Sequence, residues 1–96
     1  MKGSSYIEDK KRYYQSEHFA VNFTGKWVII ELPRPNSELP FFVKNALSQN
    51  GRWAFTTTVL VSSAMLFDLR EEAEQFLEEK QVKGYQVFCL NAKDLI

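Results

Sequence analysis

From His18 onward, apolar and polar side chains alternate along the chain. Phe19, Val21 and Phe23 fall on one side, with Ala20 and Asn22 on the other. After Thr24-Gly25-Lys26 the alternation resumes, setting Val28, Ile30 and Leu32 against Trp27, Ile29 and Glu31. A period of two predicts strands, and a three-residue connection containing glycine, which accepts a positive φ, predicts a hairpin between them. Pro33, Pro35 and Pro40 then break the pattern. Because proline has no ladder donor, residues 33–40 are expected to be a surface loop. "FFVK" reads as a short strand, "NALSQNG" as a turn with Asn50-Gly51 at its tip, and "RWAFTTTVLV" as a strand rich in β-branched and aromatic residues. Together they predict a second hairpin.

Beyond Phe67 the period lengthens. Leu69, Ala73, Phe76, Leu77 and Lys80 fall at i, i+4, i+7, i+8 and i+11, the apolar stripe of a helix over residues 68–82. Asp68 is placed to cap it, with Glu71 three residues on, an acidic first turn, and Lys80, Lys83 and Gly84 toward its end. "YQVFCL" closes the chain's pattern as a final strand. Upstream of His18, residues 1–17 are polar and charged, with Tyr6, Ile7, Tyr13 and Tyr14 as apolar points, and read as an arm or a short helix. The expected fold is α+β: a small antiparallel or mixed sheet of four to five strands, with one main C-terminal helix packed on one face. Residues 18–96 form its single domain, a size at which a core suffices without metals or disulfides.

Charge narrows the function classes. Twelve basic and twelve acidic side chains leave no net charge, so bulk electrostatics do not favour nucleic acid as a partner. The distribution is mildly polar: residues 1–67 carry eight basic and five acidic side chains, residues 68–96 four and seven. The single cysteine, Cys89, lies in the apolar setting "QVFCL" and reads as a small buried hydrophobe in a reducing compartment. The start of the chain carries no apolar run after its charges, and Lys2 stands where a myristoyl signal needs glycine, so neither export nor lipid anchoring is expected. The longest mostly apolar run, "TVLVSSAMLF", is about half of a membrane span. A soluble cytoplasmic protein without membrane association is the expectation.

Candidate chemistry is sparse. Glu71, Glu72, Glu74, Glu78 and Glu79 occupy the arc that the apolar stripe leaves free, so they should be solvated on a convex surface rather than gathered in a cleft, as catalytic carboxylates are. His18 has no neighbouring ligand type with zinc-site spacing, Ser62 and Ser63 have no evident base, and the four glycines form no phosphate-binding loop. Trp27 and Trp53 read as core-edge rings at strand starts. The sequence therefore predicts no enzyme, no cofactor and no metal. "KKRYY" interleaves Lys10, Lys11 and Arg12 with Tyr13 and Tyr14, a composition suited to single-stranded nucleic acid and equally to a protein interface, where Tyr and Arg dominate the energetics. Arg34, between two prolines, adds a cation on a stiff loop. These six residues are the candidate partner-binding set.

Taken together, "KWVI", "FFVK", "GRW", "AMLF" and "REEAEQF" make the stretch from Lys26 to Phe88 resemble a recurring small domain of phage and prophage proteins. What the resemblance implies is an accessory protein in an infecting or integrated element, acting in the host cell by binding and inhibiting a host protein. Host takeover and anti-defence, such as anti-CRISPR or anti-restriction action, are the expected settings, with self-association through an exposed strand edge as a further expectation. Two other classes stand beside it: a small-ligand or nucleotide sponge with a pocket between sheet and helix, and a nucleic-acid-binding accessory factor.

Overall fold

The computed structural model describes residues 9, 11–32 and 41–95. Four strands, β1 (Trp27–Glu31), β2 (Phe42–Gln49), β3 (Arg52–Thr58) and β4 (Tyr85–Cys89), form one antiparallel sheet in the order β3-β2-β1-β4. Among the described residues it is accompanied by the helices α1 (Glu17–Asn22), α2 (Arg70–Lys80) and the single turn α3 (Ala92–Leu95). Residues 11–14 form a further helical turn, and Val61–Ser63 a 3-10 turn after β3. The small α+β fold with a four-stranded sheet is as the sequence predicts, and β4 reaches the far edge by passing from β3 through α2.

The middle of the sheet is splayed. β1 and β2 are in register at Ile30 and Phe42, but a bulge between Val43 and Asn45 turns β2 away from β1. The backbone of residues 65–67 fills the wedge: Met65 donates to the Val43 carbonyl (3.0 Å), while Phe67 and Trp27 exchange two 2.8 Å bonds. The backbone groups that the bulge would strand inside the sheet thus find partners there.

Paired residues of an antiparallel ladder share a face, so register assigns the two cores. One face carries Val28, Ile30, Phe42 and Phe88, roofed by Tyr14, Phe19, Phe23, Val61, Leu90 and Leu95. The other carries Ile29 and Val43, both buried, and lies under α2, whose Ala73 is fully buried. On that second face the ring of Phe55 from β3 meets Tyr85 from β4 with 4.8 Å between centroids, and Phe76 of α2 sits 6.0 Å from Phe55. The molecule is therefore three layers deep, with α2 on one face and α1, α3 and the 3-10 turn on the other.

Four sequence expectations change. Residues 19–23 are not a strand: Ser16 Oγ accepts from the Phe19 amide (3.2 Å) and caps α1, which puts Phe19 and Phe23 on its buried side and leaves Val21 74% exposed. A strand would have turned all three the same way. β2 runs on through Gln49 because Asn50 (φ 54°) and Gly51 (φ 80°) make a two-residue turn, so residues expected in a loop pair with β3. β3 stops at Thr58, whose Oγ1 accepts from the Leu60 amide (3.0 Å) and starts the 3-10 turn. The cap of α2 is shifted by one residue: the Leu69 amide donates to Glu72 Oε1 (3.2 Å), Asp68 pairs with Lys26 instead, and Gln81 (φ 54°) rather than Gly84 provides the left-handed end. Cys89 is half-buried on β4, opposite Trp27. The proline-rich loop over 33–40 lies outside the described residues.

Candidate functional site

The helical turn at residues 11–14 ends where Ser16 begins to cap α1; its hydroxyl donates back to the Tyr13 carbonyl (2.6 Å). That clasp holds the two tyrosines against α1 in different ways. Tyr14 turns inward, 1% exposed, with its ring 5.1 Å from Phe19 in an edge-on contact. Tyr13 stays at the boundary, 6.0 Å from Phe19 and 5.8 Å from the exposed His18. Burial raises the Tyr13 phenol above its ordinary value.

Facing them, the chain leaving β3 brings Leu60, Val61 and Ser62 alongside. Between the two segments runs a groove of about 400 Å³ lined by Asp9, Tyr13, Tyr14, His18, Leu60, Val61 and Ser62. Leu60 is 49% exposed and supplies an apolar wall. Next to the groove, Arg12 Nη1 and Asp9 Oδ1 form a 3.1 Å ion pair, both side chains being well solvated. Exposed pairs of this kind contribute at most about 1 kcal/mol, so Arg12 can exchange Asp9 for another acceptor at little cost. Lys11 is exposed beside it.

Of the six candidate partner-binding residues, the structure groups Arg12 and Lys11 on the surface with Tyr13 at the groove. Tyr14 is a core ring, 1% exposed and packed on Phe19, and it also contributes to the lining of the groove. Lys10 and Arg34 lie outside the described residues. Leu60, Ser62 and His18 escaped sequence reasoning as groove residues. The run "TTTVLV" reads as strand, and its local signal of a break is Thr58, which can bond the amide two residues on.

The acidic helix stands apart. Glu71, Glu72, Glu74, Glu78 and Glu79 are all exposed on α2, as the stripe predicts. Arg70 Nε and Glu74 Oε2 pair at 2.8 Å and Gln75 donates to Glu79 at 3.1 Å, contacts along the helix rather than into a cleft. Among the described residues no group of His, Cys, Asp and Glu is arranged to hold a metal ion. No helix among them is long and apolar enough to cross a membrane.

Tyr85 is the second perturbed phenol. It is raised first by burial and second by the Glu31 carboxylate, its cross-strand neighbour. The unfolded chain releases that proton first, so the contribution to stability is complete below pH 10.0 and is lost as pH climbs toward the folded value. Replacing Glu31 with Gln removes the second cause. Ultraviolet titration of the tyrosines is expected to show one phenol moving to lower pH in Glu31→Gln; an unchanged curve would remove Glu31 from the account.

No family model, curated protein or solved structure matches the chain.

Proposed function

We propose that this chain is a non-catalytic accessory module that works by covering a surface of a host protein and blocking it. The groove between residues 9–18 and 60–62 is the observation that carries the reading. It sets a half-buried tyrosine and an exposed leucine beside an arginine whose ion pair with Asp9 is well solvated. Aromatic and arginine anchors around an apolar depression are the composition from which protein interfaces draw most of their energy. The phage-type resemblance of residues 26–88 supplies the setting, a host protein as the target.

A second reading is favoured by the same volume, which lies in the range of small-ligand pockets. There the protein would sequester a ligand, its rings stacking on Tyr13 and His18. The two readings separate in solution: a sequestering protein melts higher in the presence of its ligand, whereas a protein inhibitor ignores a nucleotide panel. A nucleic-acid accessory factor would instead lose binding steeply with salt.

The decisive variant is Arg12→Glu with Leu60→Asp. Both sites are exposed and the Arg12–Asp9 pair is a solvated one, so folding stability should change by about 1 kcal/mol or less. Wild-type protein immobilised against a bacterial lysate is expected to retain a host protein in fixed stoichiometry, and the variant to retain at least about tenfold less. Equal retention by the variant would remove the groove from the reading. A melting shift with a nucleotide would replace the reading with sequestration.

A further inference from the structure

The two edges of the sheet are protected unequally. β4 is five residues long, and α2 hangs Arg70, Glu74 and Glu78 beside Tyr85, Gln86 and Val87. Charged side chains at a strand edge are a common guard against pairing with another chain. Among the described residues β3 is guarded less: Lys80 of α2 reaches it, with Nζ 3.9 Å from the Trp53 ring centroid near one end of the strand. Over seven residues, "RWAFTTT", it carries one charge, at its first position, and no proline; the bulge of the hairpin lies in β2 instead. Among the described residues, no strand lies beyond β3.

The groups on that edge can be identified. The two-residue turn makes Gln49 and Arg52 a hydrogen-bonded pair, so by alternation Ala54 and Thr56 bond inward to β2. Trp53, Phe55 and Thr57 then aim their N–H and C=O groups outward. We propose that two copies of this chain pair antiparallel through β3, about a twofold axis at Phe55, to make one continuous eight-stranded sheet.

The argument for a second copy is self-complementarity. Full overlap of two seven-residue strands requires residue 52 opposite 58, 53 opposite 57, 54 opposite 56, and 55 opposite itself. In that register, and not in one shifted by a single residue, every outward-facing group meets an outward-facing group. Side chains also match: Trp53 lies across from Thr57, an aromatic and β-branched pairing that stabilises sheets, and Arg52 meets Thr58 rather than a second arginine. The Phe55 ring already points back under the sheet toward Tyr85, so it leaves the edge clear. This pairing uses a surface separate from the groove and stands or falls independently of the partner reading.

The test uses the full chain in sedimentation equilibrium from about 1 to about 100 µM, where a weak edge contact becomes populated. Wild type is expected to approach twice the monomer mass of 11.2 kDa. Ala54 and Thr56 are exposed, so charges placed there leave the fold intact. Ala54→Lys with Thr56→Lys sets like charges across the axis and is expected to yield monomer throughout. Ala54→Lys with Thr56→Glu sets opposite charges across and is expected to restore the dimer. Amide exchange supplies the register: protection at Phe55 rises with concentration, while that at Ala54 and Thr56 does not. A wild type that stays monomeric overturns the proposal, whether or not another protein's strand takes the edge. So does a dimer that survives the double lysine, or one that the charge swap fails to rescue.

Discussion

Replacing Phe19 with alanine is expected to cost about 3–5 kcal/mol, the range for removing a large buried ring. Phe19 is fully buried and is the hub of α1's contacts, with ring centroids of Tyr14 at 5.1 Å and Phe23 at 5.6 Å. Against a total of about 5–15 kcal/mol for a domain of ordinary stability, such a loss leaves little reserve. The measurement is urea denaturation followed by tryptophan fluorescence, with the midpoint falling while the slope is retained. Val21→Ala is the control that makes the result specific. On the solvent side of a helix the exchange should be neutral or slightly stabilising, by up to about 0.7 kcal/mol, since alanine is the better helix former. Were residues 19–23 a strand, Val21 would share the face of Phe19 and its truncation would also destabilise. A clear loss in Val21→Ala would contradict the helical account.

The second large effect is expected at the other end of the chain. Leu95→Ala should cost about 2–5 kcal/mol. Leu95 is 1% exposed in the same cluster as Phe19, Val28 and Phe42. The chain is led there by Leu90, itself fully buried, whose amide donates to the Lys26 carbonyl (2.8 Å) and whose carbonyl accepts from Gly25 (3.0 Å). Those two bonds tie the segment after β4 to the start of β1. α3 then closes the layer that α1 opens. An effect under about 0.5 kcal/mol, the surface value, would mean that α3 does not pack in solution.

The two layers were not equally legible in the sequence. α2 announces itself through Leu69, Ala73, Phe76 and Leu77, because eleven residues give the helical period room to repeat. Its glutamates followed as the solvated arc. The hairpin of β2 and β3 was visible in Asn50-Gly51, whose geometry fits a two-residue turn. α1 was not, because in six residues Phe19, Val21 and Phe23 satisfy a period of two as readily as Phe19 and Phe23 satisfy a spacing of four. The deciding signal was Ser16, a good cap preceding Glu17, which outweighs the alternation once the tertiary layer needs covering. That misreading also hid the second core, since without α1 the rings of Tyr14 and Phe19 have no common place to go. The groove was half legible for a related reason. Sequence singled out Tyr13 and Arg12 by composition, but Leu60 and Ser62 join them through a chain reversal that depends on Thr58 and Leu60.

The groove face, and not the acidic helix, is proposed to meet the partner. Photo-crosslinking tests it most directly, with a benzophenone side chain placed at Leu60 in one preparation and at the exposed Gln75 of α2 in another. After incubation with host lysate, the account predicts a discrete adduct with a single host protein from position 60 and none from position 75. An adduct formed from position 75 and absent from position 60 would contradict it.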